Sequence, residues 1–130
     1  MSAEFRTLCH SLGLNVKALA DYVRVTTRSA EYWLADGEPP PGVLEDILRL
    51  DASIQNTIQQ AVNRYMDKAH DKEPQIALEA YRSAEAWHAA HPEYKPLPAQ
   101  THSIMLARTR QALANIGLKT IIRYADAQPR

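Results

Sequence analysis

The residues best equipped for recognition chemistry crowd into one short stretch, Thr26-Thr27-Arg28-Ser29-Ala30-Glu31-Tyr32. Three hydroxyls, a guanidinium and a phenol fall within about two turns of a helix, and such groups bind by hydrogen bonds without making or breaking covalent ones. Arg28 is the most directional of them, because its planar fork matches two acceptors on one edge of a ligand. Lys17 offers a plain point charge. Other candidates have simpler readings. Glu85, His88 and His91 form E-x-x-H-x-x-H, but no cysteine joins them, and an acid–histidine face on a solvated helix accounts for the pattern. Thr101-His102-Ser103 reads as a helix start with capping hydroxyls, since nucleophilic chemistry needs a third, orienting group. Cys9 falls on an apolar helix face and reads as a small buried hydrophobe. With four glycines in all there is no phosphate-cradling loop. The pattern implies a non-enzymatic protein with no metal and no cofactor.

The elements that must position these groups follow from periodicity. Phe5, Leu8, Cys9 and Leu12 recur at helical spacing and Gly13 stands where a C-terminal cap belongs, which predicts a helix over 3–12. Asn15 caps a second helix whose inward residues are Val16, Leu19, Ala20 and Val23. After a break at Arg24-Val25, Thr26 caps a third, with Ala30, Trp33 and Leu34 inward. Glu38-Pro39-Pro40-Pro41-Gly42 is a stiff connector. A long helix is then expected over about 43–70, a rod of about 40 Å. Its second half carries Ile54, Ile58, Ala61, Val62 and Tyr65, which need a surface to cover them. Either the same face of a second copy or the C-terminal region must supply it. Beyond residue 74, QIALEAY is a short strand candidate, 83–91 a helix, HPEYKPLP a loop, 103–116 a helix stopped by Gly117, and LKTIIRY a second strand.

The segment LADYV-R-VTTRSAEYWLADG, followed by PPPGVLEDIL, resembles the Cro/CI-like (XRE-type) helix-turn-helix regulators. It is similar to small phage and bacterial repressors, the anti-CRISPR-associated repressors among them, that add a compact dimerisation region. The helix pair needs a small residue where its helices cross, met by Ala20, and apolar residues facing back from the turn and second helix, met by Val25, Ala30 and Trp33. The resemblance implies that Thr27, Arg28 and Tyr32 face base edges while Lys17, Thr26 and Ser29 lie near phosphates. Two positions depart from the family pattern. Arg24 stands near the turn position usually held by glycine, and Val16 stands where a phosphate-gripping glutamine is common.

Together these readings predict a mainly α protein: a lambda-repressor-like helix-turn-helix bundle over 1–52, then a long-helix extension and small α+β dimerisation region over 53–130. The expected function is sequence-specific binding of double-stranded DNA, as a homodimeric transcriptional regulator, by resemblance a repressor, on an inverted repeat. An antitoxin-like module that neutralises an unknown protein partner and an RNA-binding regulator are the alternatives. Charge bears on this choice. Fifteen basic residues balance fifteen acidic ones, and residues 1–41 come to −1. Few phosphates can therefore be neutralised per subunit, so tight binding calls for two-fold presentation. No apolar run is long enough to span a membrane. One cysteine and the absence of a leader-like N-terminus point to the cytoplasm.

Overall fold

The structure, a computed structural model, describes residues 2–66 and 75–125. Among these the chain is mainly helical, with one small two-stranded parallel sheet. Helices α1 (Ser2–Ser11), α2 (Val16–Val23) and α3 (Thr27–Ala35) are followed by the long α4 (Pro41–Tyr65). Strand β1 (Gln75–Ala80), helix α5 (Ala84–Ala90), a 3-10 turn (Pro92–Tyr94), helix α6 (Ala99–Asn115) and strand β2 (Lys119–Tyr124) complete it.

Local signals explain most boundaries. Asn15 Oδ1 accepts from the Ala18 amide at 2.8 Å, and Ser83 Oγ accepts from Ala86 at 3.1 Å, each satisfying one orphan donor of a first turn. Gly13, at φ 76°, ends α1: the Leu14 amide reaches the Cys9 carbonyl and the Gly13 amide that of His10. Gly117 ends α6 the same way, with Leu118 bonded to the Leu113 carbonyl. Helix α4 starts two residues before the expected Val43, because Pro41 occupies the first helical turn, where a missing N–H costs nothing. The expected continuation of α4 from residue 67 to 70 lies outside the described residues.

Helix α4 presents Ile47, Leu50, Ile54, Ile58 and Val62 along one buried face. Its first half closes the core made by Phe5, Cys9, Leu12, Leu19 and Ala30. Its second half is covered by the C-terminal region: Trp87, Leu97 and Met105 join the same core, and Val62 packs with Ile76, Leu113 and Leu118. Of the two expected covers, the intramolecular one is realised. Ile54 is 2% exposed and Ile58 8% exposed within a single chain, so neither is available as the seam with a second copy. At roughly 1.5–3 kcal/mol per fully buried aliphatic side chain, this face outweighs any single polar contact.

Helix α6 is the element that locks the halves together, and it begins at Ala99, four residues earlier than expected. Thr101 is consequently not a cap. It lies within the helix, fully buried, and its hydroxyl donates to the Leu12 carbonyl at 2.7 Å. The same approach explains Gly13, where a Cβ would stand 2.9 Å from the Thr101 amide nitrogen. Arg108 donates to the Ser11 carbonyl and lies 3.9 Å from Asp51, tying α6 to α1 and α4. Above this joint Trp87 is stacked on Tyr94 at 4.9 Å and against His102 at 4.7 Å. His102 is held below the ordinary histidine range by burial, with His91 adding to the effect and a backbone hydrogen bond at Glu79 opposing it. Its Nε2 is buried without a partner among the described residues.

Two outcomes follow from this joint. Thr101→Val keeps the volume but strands the buried Leu12 carbonyl, which should cost about 1–3 kcal/mol in urea denaturation; unchanged stability would remove the bond from the account. Burial disfavours the charged form of His102, so below its ordinary pKa of 6.5 the unfolded chain takes up a proton that the folded chain resists. Stability is then full above that pH and declines as pH falls through it. The melting temperature of the wild type should drop more between neutral pH and about pH 5 than that of His102→Gln, and parallel curves would contradict the assignment.

Candidate nucleic-acid interface

Helix α2 ends on Arg24, whose backbone is left-handed at φ 60°, ψ 53°. The amides of Arg24 and Val25 both bond to the Ala20 carbonyl, the latter at 3.0 Å. This is the turn position at which the resembled family favours glycine, and Arg24 adopts the glycine conformation at a cost of about 1 kcal/mol. The chain then straightens at Thr26, φ −73° and ψ 154°, and α3 begins. Ala20 and Ala30 are buried, 3% and 0% exposed, so the two helices pack without a bulky side chain on either at these positions. Leu34 is buried and Trp33 half-buried against the same core.

With Ala30, Trp33 and Leu34 inward, helical geometry turns Arg28 and Tyr32 to the opposite face, with Glu31 at its edge and Thr27 in the open first turn. All four are exposed. Arg28 has no hydrogen-bond or ion-pair partner among the described residues. Tyr32 is 62% exposed, yet its ring is backed by the chain: a Cβ on Gly37 would meet its Cε2 at 2.3 Å. The absence of a side chain at Gly37 therefore gives the Tyr32 ring its seat. A guanidinium, a hydroxyl, a carboxylate and a seated phenol thus share one stripe that can read donors and acceptors on a planar edge.

The remaining expected contacts sit differently. Thr26 Oγ1 is occupied as the cap of α3, accepting from the Ser29 amide and donating to Ser29 Oγ, both at 3.2 Å. Thr26 and Ser29 therefore set the start of α3 rather than extending freely outward. Lys17 stands in the first turn of α2 and pairs with Asp21 at 3.0 Å, its side chain 80% exposed. An exposed pair of this kind is worth little and can exchange for another anion.

Two features escaped the sequence reading. Glu31, not named among the expected contacts, is exposed beside Arg28 and Tyr32. Arg49 of α4 and Lys95 of the C-terminal region line one open depression with Arg24, Asp21, Tyr22, Asp46 and Pro96. The Tyr22 phenol is pushed up by burial and by Asp46, with Arg49 opposing. Only the fold brings Lys95 beside Arg24, so no spacing in the sequence could have signalled it.

The other sequence candidates are engaged in packing. His88 Nε2 lies 2.8 Å from the Leu97 carbonyl, and His91 meets the Tyr81 hydroxyl at 3.3 Å. Among the described residues no three histidine, cysteine or acidic side chains form a group able to hold a metal. Burial pushes the Cys9 thiol up to about 12, which keeps it protonated and unreactive. No helix among the described residues is long and apolar enough to cross a membrane. In comparisons with known proteins, no family model and no curated protein matches this sequence.

The left-handed turn has a direct consequence. Arg24→Gly should raise stability by less than about 1 kcal/mol in urea denaturation, because glycine removes the Cβ penalty but widens the unfolded ensemble. A loss of stability would show that the Arg24 side chain contributes more than its backbone strain costs.

Proposed function

We propose that the protein is a sequence-specific binder of duplex DNA that regulates transcription, with α3 as its reading element. The observation that supports this best is the outward stripe of α3, polar and open along its length while the opposite face is sealed into the core. An α-helix fits the major groove, and α3 carries its hydrogen-bonding groups in its first two turns, where a docked recognition helix meets base edges.

The groups divide by role. Arg28 would address a guanine through its O6 and N7 acceptors, Thr27 and Tyr32 neighbouring bases or methyl groups, and Glu31 a cytosine amino group. Arg24 and Lys95 would take phosphates on the flank of the helix pair, with Arg49 and Lys17 available once they exchange Asp46 and Asp21 for the backbone. A carboxylate on the reading stripe repels phosphate, so Glu31 contributes to discrimination by weakening non-specific contact. The near-neutral charge fits binding as a homodimer to two half-sites, since one protomer neutralises few phosphates. A repressor role rests on the family resemblance of residues 5–50 alone.

Selection of bound duplexes from a random pool at fixed salt tests the reading. The expected result is an inverted-repeat consensus with half-site centres about one helical turn apart. On that consensus Arg28→Ala should cost about 1–3 kcal/mol and relax one position per half-site. Failure to enrich any motif, or unchanged affinity of Arg28→Ala, would remove DNA from the proposal.

A further inference from the structure

Strand β2 is poorly covered by its own chain. Ile121 and Ile122 are each 43% exposed and Tyr124 is 42% exposed, although the strand is rich in β-branched residues and paired in parallel with β1. Parallel strands are ordinarily buried on both faces, and a two-stranded sheet is marginal alone. Among the described residues no strand pairs with the outer edge of β2.

The direction of that edge can be assigned. The Ala125 amide bonds to the Ala80 carbonyl at 2.9 Å, and Tyr124 is in register with Ala80. By the alternation of the ladder, residues 119, 121, 123 and 125 turn their backbone groups toward β1, and the N–H and C=O of Thr120, Ile122 and Tyr124 point outward. Register with Ile76 and Leu78 also places Thr120 and Ile122 on the same side of the sheet as those two residues, which pack with Val62 and Leu113.

We infer that the occupant of this edge is a second copy of the chain, its β2 antiparallel to the first about a two-fold axis at Ile122. Any register centred on a residue keeps side chains on matching faces, and those centred on Ile121 or Ile122 pair the most of the strand. Centring on Ile121 sets Lys119 against Arg123 of the other copy, a like-charge pair. Centring on Ile122 sets Ile122 against itself, Ile121 against Arg123, Thr120 against Tyr124 and Lys119 against Ala125, and about six main-chain hydrogen bonds join the outward groups. Within each protomer Arg123 is in register with Glu79, so its charge already has an opposite neighbour. The edge is thus self-complementary in backbone and apolar contact, and sets no like charges directly opposite each other. A four-stranded sheet β1-β2-β2-β1 would continue one apolar layer across both copies. The inference gives the homodimer of the proposed function its surface, one separate from the α4 face that the fold has filled.

Sedimentation of the full chain without DNA tests it, and so stands apart from any test of DNA binding. Wild type should sediment as a dimer at micromolar concentration. Ile122→Lys, which sets two ammonium groups on the axis, should be monomeric with an unchanged helical circular-dichroism signal. Leu48→Lys, on the other exposed apolar patch, should remain dimeric. Hydrogen exchange of wild type gives a readout free of any folding defect: the Ile122 and Tyr124 amides should be protected in the dimer and lose protection on dilution. A monomeric wild type, a dimeric Ile122→Lys, dissociation by Leu48→Lys instead, or unprotected amides in the dimer would each overturn the assignment.

Discussion

Everything in this fold depends on one face of α4. Ile47, Leu50, Ile54, Ile58 and Val62 follow each other at three- and four-residue spacing and are all buried. Three helices of eight to ten residues before it are too short to be stable alone, because nucleation is costly and each has little surface to bury. They become a unit when Ile47 and Leu50 enter their core. The strand–helix–helix–strand segment after α4 has the same difficulty, since a two-stranded sheet buries little, and it is resolved by the second half of the same stripe. One helix therefore serves as the wall of two rooms, and loss of its apolar face would be felt in both.

The polar contacts refine what that face permits. Thr101 and Arg108 reach the Leu12 and Ser11 carbonyls at the C-terminal end of α1, where carbonyls are left without intrahelical partners. Because those carbonyls lie at a joint covered by α6, water cannot satisfy them fully, and the side chains of another element do so. Gly13 allows the backbones to approach closely enough. In consequence α3, which packs on α1 and α2, is braced indirectly by a helix about seventy residues further along the chain. The backbone of α3 is thereby held in place, and for the proposed reading surface a pre-set backbone lowers the entropic cost of binding.

How far the sequence disclosed this depended on the range of the cause. Caps and stops were legible because Asn15, Thr26, Gly13 and Gly117 act within a few residues of themselves. The helix pair was legible because Ala20, Val25, Ala30 and Trp33 have a fixed spacing. The start of α4 was misplaced because a proline run reads as a breaker, whereas a proline in the first turn is harmless. Thr101 read as a cap because its partner, the Leu12 carbonyl, is remote in sequence. For the same reason periodicity alone left two covers open for Ile54 and Ile58, and Arg49 and Lys95 could not be joined to Arg24. In the candidate site, Arg28 and Tyr32 were readable from type and position. The seat under Tyr32 and the exposure of Glu31 needed the fold.

The functional account rests on the contrast between the two faces of α3, one sealed by the core and one open and polar. Hydrogen exchange of the full chain, with and without a selected duplex, tests that contrast most directly. Added protection should concentrate in the Arg24–Val25 turn and the first two turns of α3, with the buried stretch of α4 unchanged. Protection that leaves α3 untouched and appears elsewhere, or none at saturating duplex, would contradict α3 as the reading element.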